Sequence, residues 1–312
     1  MWTGCLRYIF TLPLMGAIAL VSKPAGKRTG PAADISGPAA GQRTGSLSSS
    51  HTQPDYGRDT EGCSQAGNAL VNTLLIIKDN PVKWLIWSTV GFGLFYAPLT
   101  LAAVYGESWF TAATWQITIV CGVILTPLFG RSIPLKNLLC SAFILVGILL
   151  LQTTHFGSMD MRNTLVSLFF IIIGAVSYPL GNRKMMSICP EGTSTVERVF
   201  GMTLCSMPFW LILTAVALVT DGLPSVNQII SSFIIALFAG VIATLFFFEA
   251  TNLVRSNPRQ LAVIEATQSG EVIFTFIGGV LFLGDPLPTV TGFIGLAIII
   301  MGMTANSLIS GE

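Results

Sequence analysis

With 312 residues, 52% of them hydrophobic and only 10% charged, and a mean hydropathy of +0.72, this chain is not built to face water; a soluble domain carries about 25% charged residues. A net charge of +1 leaves no basic stripe to neutralise phosphates, which excludes nucleic acid as a partner. The length instead suits repeated membrane spans, at roughly 20 apolar residues each.

In chain order the first apolar run covers residues 6–21. Its short polar start and single Arg resemble a signal peptide, but the repeat described below makes it a genuine span. Residues 22–75 follow. Their first part is rich in Gly, Ser, Thr, Pro and Ala, which predicts a disordered cytoplasmic loop. Eight further apolar runs come at about 84–104, 108–129, 137–152, 164–180, 199–219, 229–250, 261–283 and 288–308. None alternates with the period of a barrel strand, so helices are expected throughout. Pro98, Pro127, Pro179 and Pro208 lie inside runs, where neighbouring helices can re-satisfy the freed backbone.

The charges between runs set the orientation. Lys23, Lys27, Arg28, Arg43, Arg58, Lys78, Lys83, Arg131, Lys136, Arg183, Lys184, Arg198, Arg255 and Arg259 all fall in alternate loops, on one face. Only Arg7 and Arg162 fall on the other. The positive-inside rule makes the rich face cytoplasmic, with the C-terminus inside and the segment before Arg7 outside, in a multi-pass protein of the cell membrane. Cys5, Cys63, Cys121, Cys140, Cys189 and Cys205 show no C-x-x-C spacing, and His51 and His155 lie outside the runs. No zinc site, catalytic triad or cofactor is implied.

An offset of 152 residues aligns two halves of the chain. Phe95 then meets Phe247, Leu101 meets Leu253, Thr114-Trp115-Gln116 falls beside Ala266-Thr267-Gln268, Val120 meets Val272, and Pro134-Leu135 meets Pro286-Leu287. Spans pair with spans, and the first run pairs with the sixth, each with an Arg near its start (Arg7, Arg198) and a later Pro. The first repeat is residues 1–21 with three helices in 76–152; the second is five helices in 164–308. The fold expected is an all-α membrane protein of nine transmembrane helices, drawn from a ten-helix inverted-repeat (5+5) transporter that lacks its first helix. Such repeats place the substrate between the halves, near mid-membrane.

The stretches WSTVGFGLFYAPL (87–99), TWQITIV (114–120), YPLGNRKMM (178–186) and EATQSGEVIF (265–274) resemble the multidrug resistance efflux transporter family. That family sits in the drug/metabolite transporter superfamily, alongside the EamA-type permeases. The resemblance covers residues 6–20 and 75–308 and implies a ten-helix permease of inverted five-helix repeats. The long 22–70 loop and the absent first helix depart from that pattern.

Inside the runs the acidic residues are Glu249, Glu265 and Glu271. An ionisable group in hydrocarbon costs at least about 2.5 kcal/mol, so each needs a reason. Glu249 and Glu265 each lie six residues from an Arg (Arg255, Arg259) and can reach it or the interface. Glu271 lies about 18 Å along a helix from Arg259, near mid-membrane, with no basic residue in the spans expected to neutralise it. It is therefore the candidate proton carrier. Gln268 stands one turn from both Glu265 and Glu271, and Gln116 is its repeat mate. Trp115 and Tyr178 offer aromatic walls that suit a cationic or aromatic substrate, or else simply pack helices. Asn182, Arg183 and Lys184 read as a cytoplasmic anchor, and Gly240, Gly278 and Gly279 as sites of close helix approach. The expected function is secondary transport: efflux of small drugs or metabolites by alternating access, with protons as the coupling ion. The competing readings are a membrane-embedded enzyme, a channel and a truncated, inactive permease. No constellation for an enzyme or a filter is found.

Overall fold

The computed structural model describes residues 1–24, 68–105, 108–130, 133, 135–153, 161–254, 257, 260–261, 263–264, 267 and 270–311. Every regular element among the described residues is helical. In chain order they are α1 (Trp2–Val21), α2 (Ala69–Asp79), α3 (Pro81–Ala102), α4 (Ser108–Trp115), α5 (Ile117–Ile124), α6 (Leu135–Thr153), α7 (Met161–Ile188), α8 (Thr195–Asp221), α9 (Val226–Leu253), α10 (Gly270–Leu283) and α11 (Val290–Gly311). Helices α1, α3, α7, α8 and α9 are each long and apolar enough to cross a membrane, whereas the remaining apolar helical stretches, Phe110–Ile124, Leu138–Leu151, Gly270–Leu283 and Val290–Asn306, are shorter.

Local chemistry explains where the helices start. Ser194 Oγ accepts from Glu197 N at 3.2 Å while Glu197 accepts from Ser194 N at 2.7 Å, a complete capping box for α8. Ser225 and Gln228 repeat the device on α9. Pro81 opens α3, where its missing N–H costs nothing. Gly130 and Gly284 end α5's apolar stretch and α10 in the left-handed region, both at φ 71°, which an L side chain resists. Three helices widen into π turns: Thr89–Gly93 in α3, Ala236–Ala243 in α9 and Gly279–Leu283 in α10. Such widenings concentrate at functional sites.

Two antiparallel pairs organise the packing. Along α1 and α8, Trp2 Nε1 donates to Gly222 O at 2.9 Å, Tyr8 stacks on Trp210 at 4.4 Å, and Gly16 faces Phe200. Along α6 and α11, Leu151 meets Gly295, Gly147 lies between Gly295 and Ile299, and Ile144 meets Gly302. A Cβ on Gly147 would stand 2.8 Å from Ile299 and 3.0 Å from Gly295 O, so only glycine admits this crossing. Helix α7 crosses α3 at Gly181 and Gly91, whose backbones touch where a Cβ would be.

One apolar core gathers Tyr8, Met15, Trp84, Phe92, Trp210 and Phe248 from α1, α3, α8 and α9. Another gathers Phe110, Ile144, Ile148, Val272 and Ile299 from α4, α6, α10 and α11. Ala102, Trp115, Ile171 and Ala175 bridge them. Outside, Ile212, Val219, Phe246 and Phe282 are mostly exposed, as a lipid-covered surface requires.

Three expectations need correcting. Helix α2 takes in residues 69–75, which the sequence reading gave to the loop; Asn68 caps it and Ala69 N donates to Ser22 O at 3.0 Å. Residues 25–67 lie outside the described residues. Helix α7 runs to Ile188 rather than stopping near 180, so Asn182 is buried inside it and is not an anchor at its end. Finally, α1 begins at Trp2, which puts Arg7 within the helix and 8% exposed. Gly240 does allow a close approach, by Thr11 and Arg7, whereas Gly278 faces nothing within 4 Å.

Candidate functional site

Helices α1, α3, α7, α8 and α9 each bring aromatic side chains to a common centre. Tyr178 lies 4.8 Å from Phe95, Phe95 5.9 Å from Tyr96, Tyr96 5.9 Å from Tyr8, and Tyr8 5.7 Å from Phe92. Phe92 then lies 6.0 Å from Phe248, Phe248 6.1 Å from Phe247, and Phe247 6.2 Å from Tyr178, which closes the circuit. The centroid separations are those of favourable edge and tilted pairs. Trp115 joins at 5.3 Å from Phe95 and 6.0 Å from Tyr178. The two aromatic candidates read from sequence are therefore in contact, within a larger cluster. Phe95 and Phe247, equivalent at the 152-residue offset, both contact Tyr178.

Gln116 is fully buried. Its Nε2 donates to Ala112 O at 3.1 Å, while its Oε1 has no partner. Glu271 lies in the first turn of α10, and its side chain keeps accessible surface. No hydrogen bond or ion pair joins it to any described residue. Val272 beside it is 1% exposed and packs in the core with Phe110 and Ile299. Glu265 and Gln268 lie outside the described residues, as do Arg255 and Arg259.

Glu249 accepts from Thr195 Oγ1, while Arg255 lies outside the described residues. Thr195 also accepts from Asn252 Nδ2 at 3.0 Å, and Asn252 Oδ1 accepts from Arg198 Nη1 at 3.1 Å. Thr195 and Glu249 stand at one end of a groove of about 490 Å³ between α1, α8 and α9, otherwise lined by apolar residues such as Ile18, Val241 and Leu245.

The sequence reading missed two buried arginines. Arg198 is 1% exposed; besides Asn252 it donates to Phe248 O and Thr251 Oγ1, each at 3.1 Å, and lies 4.4 Å from the Phe248 ring centre. Arg7 lies 3.9 Å from the Tyr96 ring centre and 5.4 Å from Tyr8. It makes one long bond, Nη2 to Ala239 O at 3.4 Å, and its Nε is buried without a partner. Trp210 Nε1, in the ring stacked on Tyr8, is likewise buried without an acceptor.

Magnitudes separate the two arginines. Taking an ion out of water costs several kcal/mol. A desolvated cation–π contact returns about 2 kcal/mol and each good charge-assisted bond about 1.5–3. Arg198 has enough partners to close that gap and reaches Glu249 through a relay. Arg7 does not. The signal in the sequence was an Arg six residues into a helix that a Trp already begins; counting the run from residue 6 hid it.

The family model for multidrug resistance efflux transporters, named EmrE, matches residues 63–312. An uncharacterised Bacillus subtilis protein, YjlA, is 47% identical over 250 residues, which cover 76% of this chain and 77% of that protein. An uncharacterised 42.1 kDa protein of Shouchella clausii, from the 3′ region of an intracellular alkaline protease, is 42% identical over 219 residues; these are 67% of this chain and 58% of that protein.

Proposed function

Because the chain belongs to the EmrE family of multidrug resistance efflux transporters, within the drug/metabolite transporter superfamily, we propose that it exports small drugs or metabolites by alternating access between two inverted halves, with Glu271 as the proton-coupling group. The observation that carries this reading is the aromatic circuit, to which helices of both sequence halves contribute and in which Tyr178 touches both Phe95 and Phe247. Flat, apolar ring faces from several helices suit substrates with an aromatic body.

The packing supports an inverted arrangement. Helices α1 and α8, paired by the repeat, lie antiparallel, and so do α6 and α11. That is the relation a two-fold axis in the membrane plane imposes on mates beside it. The π turns of α3 and α9 fall at overlapping positions of the two halves, and left-handed glycines end the third and eighth apolar runs alike. Glu271 supports coupling because it is accessible at a helix start and carries no counter-charge among the described residues.

The test is flux from proteoliposomes loaded in turn with cationic, neutral and anionic aromatic fluorophores, with and without an imposed pH gradient. At least one fluorophore should cross faster than in empty liposomes, and the gradient should accelerate it. If none crosses faster under any gradient, the export reading is wrong.

A further inference from the structure

We infer that Arg7, with the rings of Tyr8, Tyr96 and Trp210, recognises an anionic group on the transported molecule, most simply a carboxylate carried by an aromatic body. This rests on the transport reading above and adds the sign of the charge that the site prefers.

Arg7 is more than nine-tenths buried, and no acidic side chain among the described residues pairs with it. Its Nε and the neighbouring Trp210 Nε1 are both buried donors without acceptors. Both flank Tyr96, whose ring centre is 3.9 Å from the Arg7 guanidinium carbon and 6.4 Å from the Trp210 ring. The place therefore holds a fixed positive charge, surplus N–H groups and aromatic faces. It wants an acceptor, preferably a charged one, with a flat apolar body.

Arg198 supplies the internal contrast. It is the repeat counterpart of Arg7 and equally set against an aromatic ring, yet its donors reach Asn252, Thr251 and the Phe248 carbonyl. Arg198 thus has both Nη groups bonded, at 3.1 Å each, and only its Nε left over, against a single 3.4 Å bond for Arg7. Arg7 is left with donors to spare in the aromatic cluster that the transport reading assigns to substrate. A cation would meet repulsion there, so the cationic preference suggested by Trp115 and Tyr178 alone gives way to an anionic one. Arginine offers a planar fork that matches a carboxylate, which a lysine does not.

The experiment is equilibrium binding to the whole protein in lipid nanodiscs, using 2-naphthoate, its uncharged amide and 2-naphthylmethylammonium as probes. The wild-type protein should bind naphthoate about tenfold or more tighter than the amide, and the ammonium weakest. Arg7→Gln should erase the preference for naphthoate over the amide, while Arg7→Lys should keep part of it. Equal binding of all three probes by wild-type protein overturns the inference without recourse to any variant. So does a naphthoate preference that survives in Arg7→Gln. If naphthoate binds as described but no probe crosses proteoliposomes, the anion site stands and the transport reading falls. If cations cross and naphthoate never binds, transport stands and the anion site falls.

Discussion

Arg7 and Arg198 make opposite demands on stability although both are buried guanidiniums. Removing Arg198 strands Asn252 Oδ1 and takes one donor each from Thr251 Oγ1 and the Phe248 carbonyl, which keeps its bond from Thr251, so Arg198→Met should cost about 3 kcal/mol, read as a clear drop in melting temperature in detergent. Arg7→Met removes a charge that the fold compensates poorly and leaves only the Ala239 carbonyl behind, already in a long contact. It should be close to neutral, within about 1 kcal/mol, or stabilising. Equal losses for the two variants would mean that Arg7 is as well satisfied as Arg198. At Tyr178 the ring packs against Phe95, Trp115 and Phe247. Tyr178→Ala should lose most of the flux at unchanged expression; flux maintained in that variant would remove the aromatic circuit from the transport path.

Elements were legible in the sequence wherever hydropathy alone decides. Five of the apolar runs fall on helices long and apolar enough to span a membrane, and the described parts of the others on shorter apolar helices, because apolar backbone must satisfy itself. Boundaries were less legible. Helix α7 continues through Asn182, Arg183 and Lys184 to Ile188 because Arg183 finds the Gly122 carbonyl at 2.7 Å and Lys184 sits over the rings of Trp87 and Phe129. Those partners are distant in sequence, so three polar residues in a row looked like a helix end. Trp115 and Tyr178 were found as site candidates, but Tyr8, Tyr96 and Trp210 were not, since their convergence depends on the antiparallel seating of α1 on α8. The glycine crossings carry a prediction at this scale. A side chain at Gly181 would run into the backbone of Gly91, so Gly181→Leu should abolish folded, monodisperse protein in fluorescence-detected gel filtration. Gly278→Ala, facing open space, should leave the profile unchanged. A folded Gly181→Leu protein would show that α3 and α7 do not pack through these glycines.

At the scale of the molecule, the N-terminus, which the charge pattern puts outside, meets the end of α8: the Met1 ammonium is 3.9 Å from Asp221 and Trp2 is bonded to Gly222. A reporter fused near Asp221 should therefore read outside and one after residue 312 inside; a cytoplasmic signal at Asp221 would break the proposed arrangement of spans. The central claim is that such an arrangement moves substrate against protons through Glu271. Glu271→Gln keeps the shape and removes the titration, and the accessible position leaves folding unaffected. The deciding measurement is the flux of a transported fluorophore in proteoliposomes across an imposed pH gradient, wild-type against Glu271→Gln. The variant is predicted to insert normally and lose the gradient-driven part of the flux, by roughly tenfold or more. A variant that transports at the wild-type rate with the same dependence on the gradient would contradict the account.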